Sequence, residues 1–138
     1  MGALGEHVRS YYRALDAGDA DAIAAHFTDD AVHYYTRREP HRGAHEIAEN
    51  ARQGVAHLCA HWAIEHLVES GEAVAIEWTM TFEHPRTRAP CLDRGAELFA
   101  FRDGRISEVR AYYHGGVPAN RTGDLVGFDH GGRGYTTL

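Results

Sequence analysis

The chain has 138 residues, of which 43% are hydrophobic and 25% charged, and its net charge is −6 with neutral histidines. This size and balance indicate one globular domain and exclude collagen-like and disordered chains. The acidic balance argues against nucleic-acid binding, and the sequence has no run of about 18 apolar residues that could cross a membrane.

The first half of the sequence predicts three helices and one short strand. Apolar residues at three- and four-residue spacing predict a helix over residues 4–17, which Gly18 ends. A second, short helix is expected from Ala20 to Phe27, and a strand is expected from Ala31 to Thr36. Residues 44–58 again show a helical apolar face.

The second half begins with a predicted hairpin. Residues 62–69 alternate between apolar and polar faces, and so do residues 73–83, with a turn at Ser70-Gly71-Glu72 between them. In the first of these strands His66 falls on the same face as Trp62, so it is expected to be a hydrogen-bonded core histidine.

A second hairpin follows a predicted loop over residues 84–92. Its strands run from Ala96 to Phe101 and from Ile106 to Tyr113, and Asp103-Gly104 between them is a strong hairpin-turn signal. Helices that precede an antiparallel sheet predict an α+β fold, here a cone formed by a curved sheet and three helices. Residues 1–114 are expected to form this domain, and the Gly-rich tail of residues 115–138 is expected to pack on it.

The cysteines and the N-terminus bear on the compartment. Cys59 and Cys91 are too few for a disulfide framework or a four-cysteine zinc site, so we expect free thiols of a reducing compartment. The N-terminus lacks a basic region followed by an apolar core. A cytoplasmic location is therefore expected.

Two histidine pairs raise the possibility of a metal site among the 11 histidines. The pairs His41/His45 and His57/His61 have the i, i+4 spacing that places two imidazoles on one helix face. The first pair straddles a glycine, and the second lacks both the glutamate of an H-E-x-x-H motif and a third ligand. The sequence therefore predicts no metal.

Three segments resemble the SnoaL-like and ketosteroid-isomerase-like branches of the nuclear transport factor 2-like superfamily. They are residues 12–19 (YRALDAGD), 26–32 (HFTDDAV) and 101–106 (FRDGRI), together with the Gly43 that opens a helix. The resemblance covers residues 5–114 and implies the cone-shaped fold and a homodimer. It leaves the chemistry open, because the superfamily holds isomerases, dehydratases, cyclases, epoxide hydrolases and binding modules.

Similarity to the ketosteroid isomerases implies two polarising groups. Tyr11 and Glu97 fall where those enzymes carry the tyrosine and the acid of their oxyanion hole. Their catalytic aspartate corresponds here to Tyr35, which is no comparable base near neutral pH. Steroid isomerisation by the usual route is therefore not expected.

The scytalone dehydratase and hexachlorocyclohexane dehydrochlorinase branch implies a base. Asp16 resembles the aspartate that orients the catalytic histidine of that branch, and His61, within Cys59-Ala60-His61-Trp62, resembles that histidine. A histidine held by a carboxylate can take a proton from carbon or oxygen near neutral pH. The Asp-Arg-Asp set of limonene epoxide hydrolases has no convincing match.

These residues together predict an enzyme that needs no cofactor. His61 would be the base and Asp16 its orienting partner, while Tyr11 and Glu97 would polarise the substrate. The reaction would be an isomerisation, cyclisation or elimination of a small, apolar, oxygenated molecule such as a polyketide or terpenoid intermediate. The residues expected to line the substrate pocket are Tyr35, Trp78, Met80, Phe82 and Tyr113.

Each candidate also has a purely structural interpretation. Asp16 could end a helix, His61 could cap one, Glu97 could face solvent on its strand, and Tyr11 could pack in the core. The rival function is a ligand-binding or dimerisation module without chemistry. A pocket filled by its own aromatic side chains would favour that rival.

Overall fold

A computed structural model of the protein describes residues 2–115 and 121–138. Its helices are α1 (Ala3–Ala17), α2 (Ala20–Ala25) and α3 (Ala44–Leu58). Its strands are β1 (Phe27–Tyr34), β2 (His41–Arg42), β3 (His61–Ser70), β4 (Ala73–Glu83), β5 (Pro90–Arg102), β6 (Arg105–Tyr113) and β7 (Arg121–Thr122). No helix of the described ranges is long and apolar enough to span a membrane.

The strands form one curved, open sheet in the order β2-β1-β6-β5-β4-β3, with β7 beside β5. The consecutive strands β3 to β6 pair antiparallel, which confirms the predicted α+β fold with a curved antiparallel sheet. Two pairings in this sheet are parallel, β1 with β6 and β7 with β5. Both parallel pairs join segments far apart in sequence, which local patterns cannot indicate.

The core lies between the helices and the inner face of the sheet, the face that packs against them. Val8 and Leu15 of α1 are buried there, as their helical spacing predicts. They share one hydrophobic core with Phe99 of β5 and Val109 of β6, which are at most 1% exposed. Burial of each such side chain stabilises the fold by about 1.5–3 kcal/mol.

Two predicted boundaries are corrected by long-range pairing. The second helix ends at Ala25, and β1 begins at Phe27 instead of Ala31, because Phe27 is fully buried and pairs with Ile106 of β6. A register shift between Phe27 and Val32 absorbs the turn-forming residues in this stretch. Strand β5 begins at Pro90, inside the predicted loop, because its first residues pair with the end of β4.

The position of His66 is a further correction. The pairing of β3 with β4 shifts register between Ile64 and His66, so the alternation of inner and outer side chains reverses there. The His66 side chain is consequently 61% exposed and faces Glu77, with 3.1 Å between Nδ1 and Oε1. Leu67, not His66, packs against the core.

Both predicted hairpin turns are present. Gly71 has φ 60°, and the pair Asp103 and Gly104 has φ 53° and 76°. Two successive residues with positive φ, as at Asp103 and Gly104, are what a type I′ hairpin turn requires. Gly18 likewise ends α1 in the left-handed region, with φ 64°.

Residues 121–138 pack on the outer face of the sheet. The Thr136 amide donates to Glu65 Oε2 at 2.6 Å, and the Tyr135 hydroxyl donates to Glu77 Oε2 at 2.9 Å. Arg94 Nε donates to Asp124 Oδ1 at 2.6 Å. The predicted tail also includes residues 116–120, which lie outside the described residues.

Candidate functional site

A cavity of about 1050 Å³ opens between helices α1 and α3 and the inner face of the sheet. Its volume is in the upper range of small-molecule sites. Seven of the nine residues predicted to act on or bind the substrate line it: Tyr11, Tyr35, Trp78, Met80, Phe82, Glu97 and Tyr113. The aromatic side chains thus form its walls and leave its interior open.

Glu97 of β5 is the central polar group of this cavity. Glu97 is 5% exposed, whereas its neighbour Leu98 on the opposite face is 37% exposed. One oxygen accepts the hydroxyl of Tyr12, and the other lies 3.7 Å from Nε2 of His33. Burial raises the pKa of Glu97 to about 7, against the opposing effect of the Tyr12 hydrogen bond. Glu97 therefore faces the cavity, and its solvent-facing interpretation is excluded.

His33 of β1 is the partner of Glu97 that sequence reasoning did not single out. It is 7% exposed, and its ring stacks on Tyr35 with centroids 4.3 Å apart. Burial lowers the pKa of His33 to about 3, so the ring is neutral at physiological pH. Its signal in the sequence was its place two residues before Tyr35, on the same face of a strand.

Tyr11 and Tyr12 both lie on the inner face of α1, but they have different partners. Tyr12 bonds Glu97, whereas the Tyr11 ring packs edge-on against Phe27 and Phe99. Burial raises the pKa of both phenols well above the usual value for tyrosine, and the charge of Glu97 raises it further. Both therefore remain proton donors, and the tyrosine that holds Glu97 is the residue after the predicted one.

Asp16 and His61 come together as the resemblance implied, but outside the cavity. His61 Nδ1 lies 3.5 Å from Asp16 Oδ1, and the His61 side chain is 69% exposed. Asp16 Oδ1 also accepts the backbone N–H of Trp62 at 3.2 Å. Trp62 lines the cavity, so strand alternation turns its neighbour His61 toward solvent.

Asp93 is a second buried carboxyl in the cavity wall, and it too was missed. It is 5% exposed and accepts the Thr122 hydroxyl at 2.6 Å and the Arg94 amide at 2.9 Å. Burial raises the pKa of Asp93 above its usual value. Asp93 lies four residues before Glu97, so strand alternation would have placed both on one face had β5 been predicted to begin at Pro90.

The histidine pairs considered for metal binding do not gather further ligands. Within residues 2–115 and 121–138, no group of three or more His, Cys, Asp or Glu side chains is placed to hold a metal ion. His41 instead lies 3.2 Å from the Tyr35 hydroxyl. His57 lines the cavity, while its partner His61 does not.

Residues 8–109 match the family of SnoaL-like domains. The match covers well over half of the chain, and the chain belongs to this family. The resemblance stated from the sequence is thereby confirmed. No curated protein gives a significant match.

Solved structures share the fold. A protein of unknown function with a cystatin-like fold from Methylobium petroleophilum PM1 is 33% identical, with a TM-score of 0.73 over 99% of this chain and 92% of that one. An LEH-like epoxide hydrolase of M. tuberculosis is 23% identical, with a TM-score of 0.72 over 81% and 83%. SalBIII, an epoxide hydrolase/cyclase-like enzyme of pyran ring formation in salinomycin, is 21% identical, with a TM-score of 0.73 over 80% and 90%. The last two likenesses show the fold, and this fold has enzymes among its members.

Proposed function

We propose that this protein is a cofactor-independent acid–base enzyme of the isomerase, cyclase or dehydratase type. Its substrate would be a small, apolar, oxygenated molecule such as a polyketide or terpenoid intermediate. One observation carries the proposal: a buried carboxyl, Glu97, stands between Tyr12 and His33 in the wall of a cavity of about 1050 Å³.

The pKa of Glu97 suits it to proton transfer in both directions. An acid–base catalyst works best when its pKa lies near the operating pH, because both protonation states are then populated. Burial brings the pKa of Glu97 to about 7 for this reason. As a carboxylate it would remove a proton next to a carbonyl, and as an acid it would return one to carbon or to a leaving oxygen.

The neighbours of Glu97 supply orientation and polarisation. Nε2 of neutral His33 faces one carboxyl oxygen of Glu97 at 3.7 Å, while Tyr12 donates to the other. Tyr11 lines the same cavity, and its hydroxyl has no partner among the described residues. That hydroxyl is free to donate to a substrate oxygen on which negative charge develops.

Glu97 is a better candidate base than His61 because of their environments. His61 is 69% exposed, so water competes for its hydrogen bonds and screens its pairing with Asp16. Proton transfer gains most from a dry site, where electrostatic interactions are stronger. The Asp16–His61 pair is exposed to water, whereas Glu97 is buried.

A carbon acid that needs only a base in an apolar cavity tests the proposal. We suggest 5-nitrobenzisoxazole, from which a base removes the C3 proton while the ring N–O bond breaks and a cyanophenolate forms. Wild-type protein should catalyse this elimination with a rate that rises with pH through about 7. The Glu97→Gln variant should lose about 10²–10⁴-fold and the inflection, because glutamine keeps the hydrogen bond of Tyr12 but cannot take the proton.

His61→Ala is the matched comparison. The Glu97 assignment predicts that this variant keeps the wild-type pH profile. A loss confined to His61→Ala would instead identify the Asp16–His61 pair as the base. Equal rates in wild type, Glu97→Gln and His61→Ala would contradict catalysis by either group and favour the ligand-binding module.

A further inference from the structure

The rim of the cavity differs in charge from its interior. The lining residues that are exposed to solvent are Arg38, Gln53, His57, Pro85 and Arg86. Two are arginines and none is acidic. Both lining carboxyls, Asp93 and Glu97, are buried. An overall charge of −6 makes this cationic rim a local feature and not a property of the whole surface.

Arg38 is held in place at this rim. Its Nη2 donates to Asn50 Oδ1 of α3 at 2.9 Å, and its guanidinium carbon lies 4.6 Å from the centre of the Tyr35 ring. It forms no ion pair with a carboxylate of the described residues. Two nearby acids are engaged elsewhere: Glu49 pairs with Arg52 at 2.6 Å, and Glu46 accepts the Arg42 amide at 2.7 Å.

The charge of Arg38 acts on side chains inside the cavity. Burial raises the pKa of both Tyr35 and Tyr113, and the charge of Arg38 opposes that rise. Both tyrosines line the cavity. An anion that enters between them would therefore be attracted toward Arg38.

Arg86 lies at the rim on the loop between β4 and β5. This loop is ordered by the backbone amides of Arg86 and Thr87, which both donate to His84 Nδ1 at 3.2 Å. The other arginine near this loop, Arg88, is paired with Glu83 at 2.9 Å. Arg86 has no such carboxylate partner within the described residues, so its charge is free to meet a ligand.

We infer that the substrate is an organic acid, whose carboxylate is bound by Arg38 and Arg86 at the rim. Its apolar, oxygenated body would lie along the aromatic walls, with the reacting carbons at Glu97. Guanidinium groups suit this role because their planar donors match the two oxygens of a carboxylate. This inference rests on the proposed function, since it assumes that the cavity is the substrate site.

Two isosteric ligands isolate the charge. The fluorescent neutral compound N-phenyl-1-naphthylamine would report occupancy of the cavity, and 2-naphthoate and 2-naphthamide would compete with it. The two competitors have the same shape and differ in charge. Wild-type protein should bind the naphthoate about tenfold more tightly than the naphthamide. Raising the salt from about 0.05 M to about 0.5 M should reduce that preference, because rim charges are screened.

Variants locate the preference. Arg38→Gln should reduce the ratio of the two affinities by about fivefold, and Arg38→Gln/Arg86→Gln should bring it to about one. Arg42→Gln is the matched control, because Arg42 is exposed and does not line the cavity. It should leave the ratio unchanged.

The outcomes separate this inference from the proposed function. A wild-type ratio near one with the reporter bound would overturn the organic-acid inference, while the benzisoxazole elimination could still show catalysis by Glu97. An equal fall of the ratio in Arg42→Gln would also overturn it, since net charge would then be the cause. Failure of the reporter to bind would contradict a ligand cavity and with it both proposals.

Discussion

Burial converts an ordinary glutamate into a group that titrates near neutrality. Desolvation is the largest influence on the pKa of Glu97, and no charged group of the described residues adds a comparable effect. Burial lowers the pKa of His33, whereas it raises that of Glu97, so both members of the pair favour their neutral forms. A neutral pair keeps an uncharged donor and acceptor ready beside an apolar substrate.

Glu97 should make the unfolding free energy of the protein depend on pH. Its pKa rises from 4.5 in the unfolded chain to about 7, so the folded protein holds a proton that the unfolded chain releases. The resulting stability is fully present below about pH 4.5 and is lost as pH rises through about 7. As the pH rises from about 4 to 8, the unfolding free energy of Glu97→Gln should therefore increase by about 3 kcal/mol relative to that of wild type.

Urea unfolding of both proteins across this range measures the difference. The comparison with the variant is needed because His33 acts in the opposite direction: its lowered pKa removes stability as pH falls from 6.5 toward about 3. The variant retains His33, so the difference isolates Glu97. Curves that run parallel at all pH values would contradict a raised pKa of Glu97.

At this scale the sequence identified which side chains to consider but not which way they point. The resemblance supplied Glu97 and Tyr11, and both line the cavity. The partner of Glu97 is nevertheless Tyr12, the neighbour of Tyr11 on α1. His61 faces solvent because side-chain direction at the junction between a helix and a strand depends on the turn between them. Cys59, with φ 50°, sets that turn, and no local pattern predicts it.

Strand β5 organises the site at the level of secondary structure. Its alternate residues Asp93, Gly95 and Glu97 share the inner face. Gly95 makes room for the indole of Trp78, because a Cβ at position 95 would lie 2.5 Å from the Trp78 ring. The glycine therefore lets the Trp78 ring pack against β5 at a position between Asp93 and Glu97.

Gly95→Ala tests this packing. The added methyl would displace Trp78, and it would also lie 2.9 Å from the carbonyl oxygen of Tyr112, which cannot move freely. We expect a loss of about 1–3 kcal/mol of unfolding free energy, together with a change in tryptophan fluorescence. Gly54→Ala in α3 is the control, because its Cβ would meet no atom within 4 Å. Equal stability of Gly95→Ala and wild type would contradict the close contact.

The order and type of the longer elements followed from local patterns, whereas the two-residue strands β2 and β7 and the ends of several elements did not. The periodicity predicted α3 and β4 with the bounds that the structure has, since each follows one unbroken pattern. The start of β5 and the reversal in β3 depend on pairing with β4 instead. Such boundaries follow from contacts between strands and not from the residues within one strand.

Across the whole molecule, the C-terminal segment links the outer surface to the cavity wall. Strand β7 pairs with β5 at Leu92 and Asp93, and Thr122 donates to the buried carboxyl of Asp93. Thr122→Val should cost about 1–2 kcal/mol of unfolding free energy, because a buried acceptor loses a donor. Thr137→Val, at an exposed position of the same segment, is the control in the same urea titration. If both variants match wild type, the link contributes nothing to stability.

The parallel pairing of β1 with β6 has a consequence for how the chain folds. Strands β3 to β6 are joined by short connections and can associate early, whereas β1 must close a loop that places Phe27 beside Ile106. Tyr12 reaches Glu97 across 85 residues of sequence. We therefore expect the environment that raises the pKa of Glu97 to be completed only in the last step of folding, so that an intermediate with the hairpins alone would carry an ordinary, ionised glutamate.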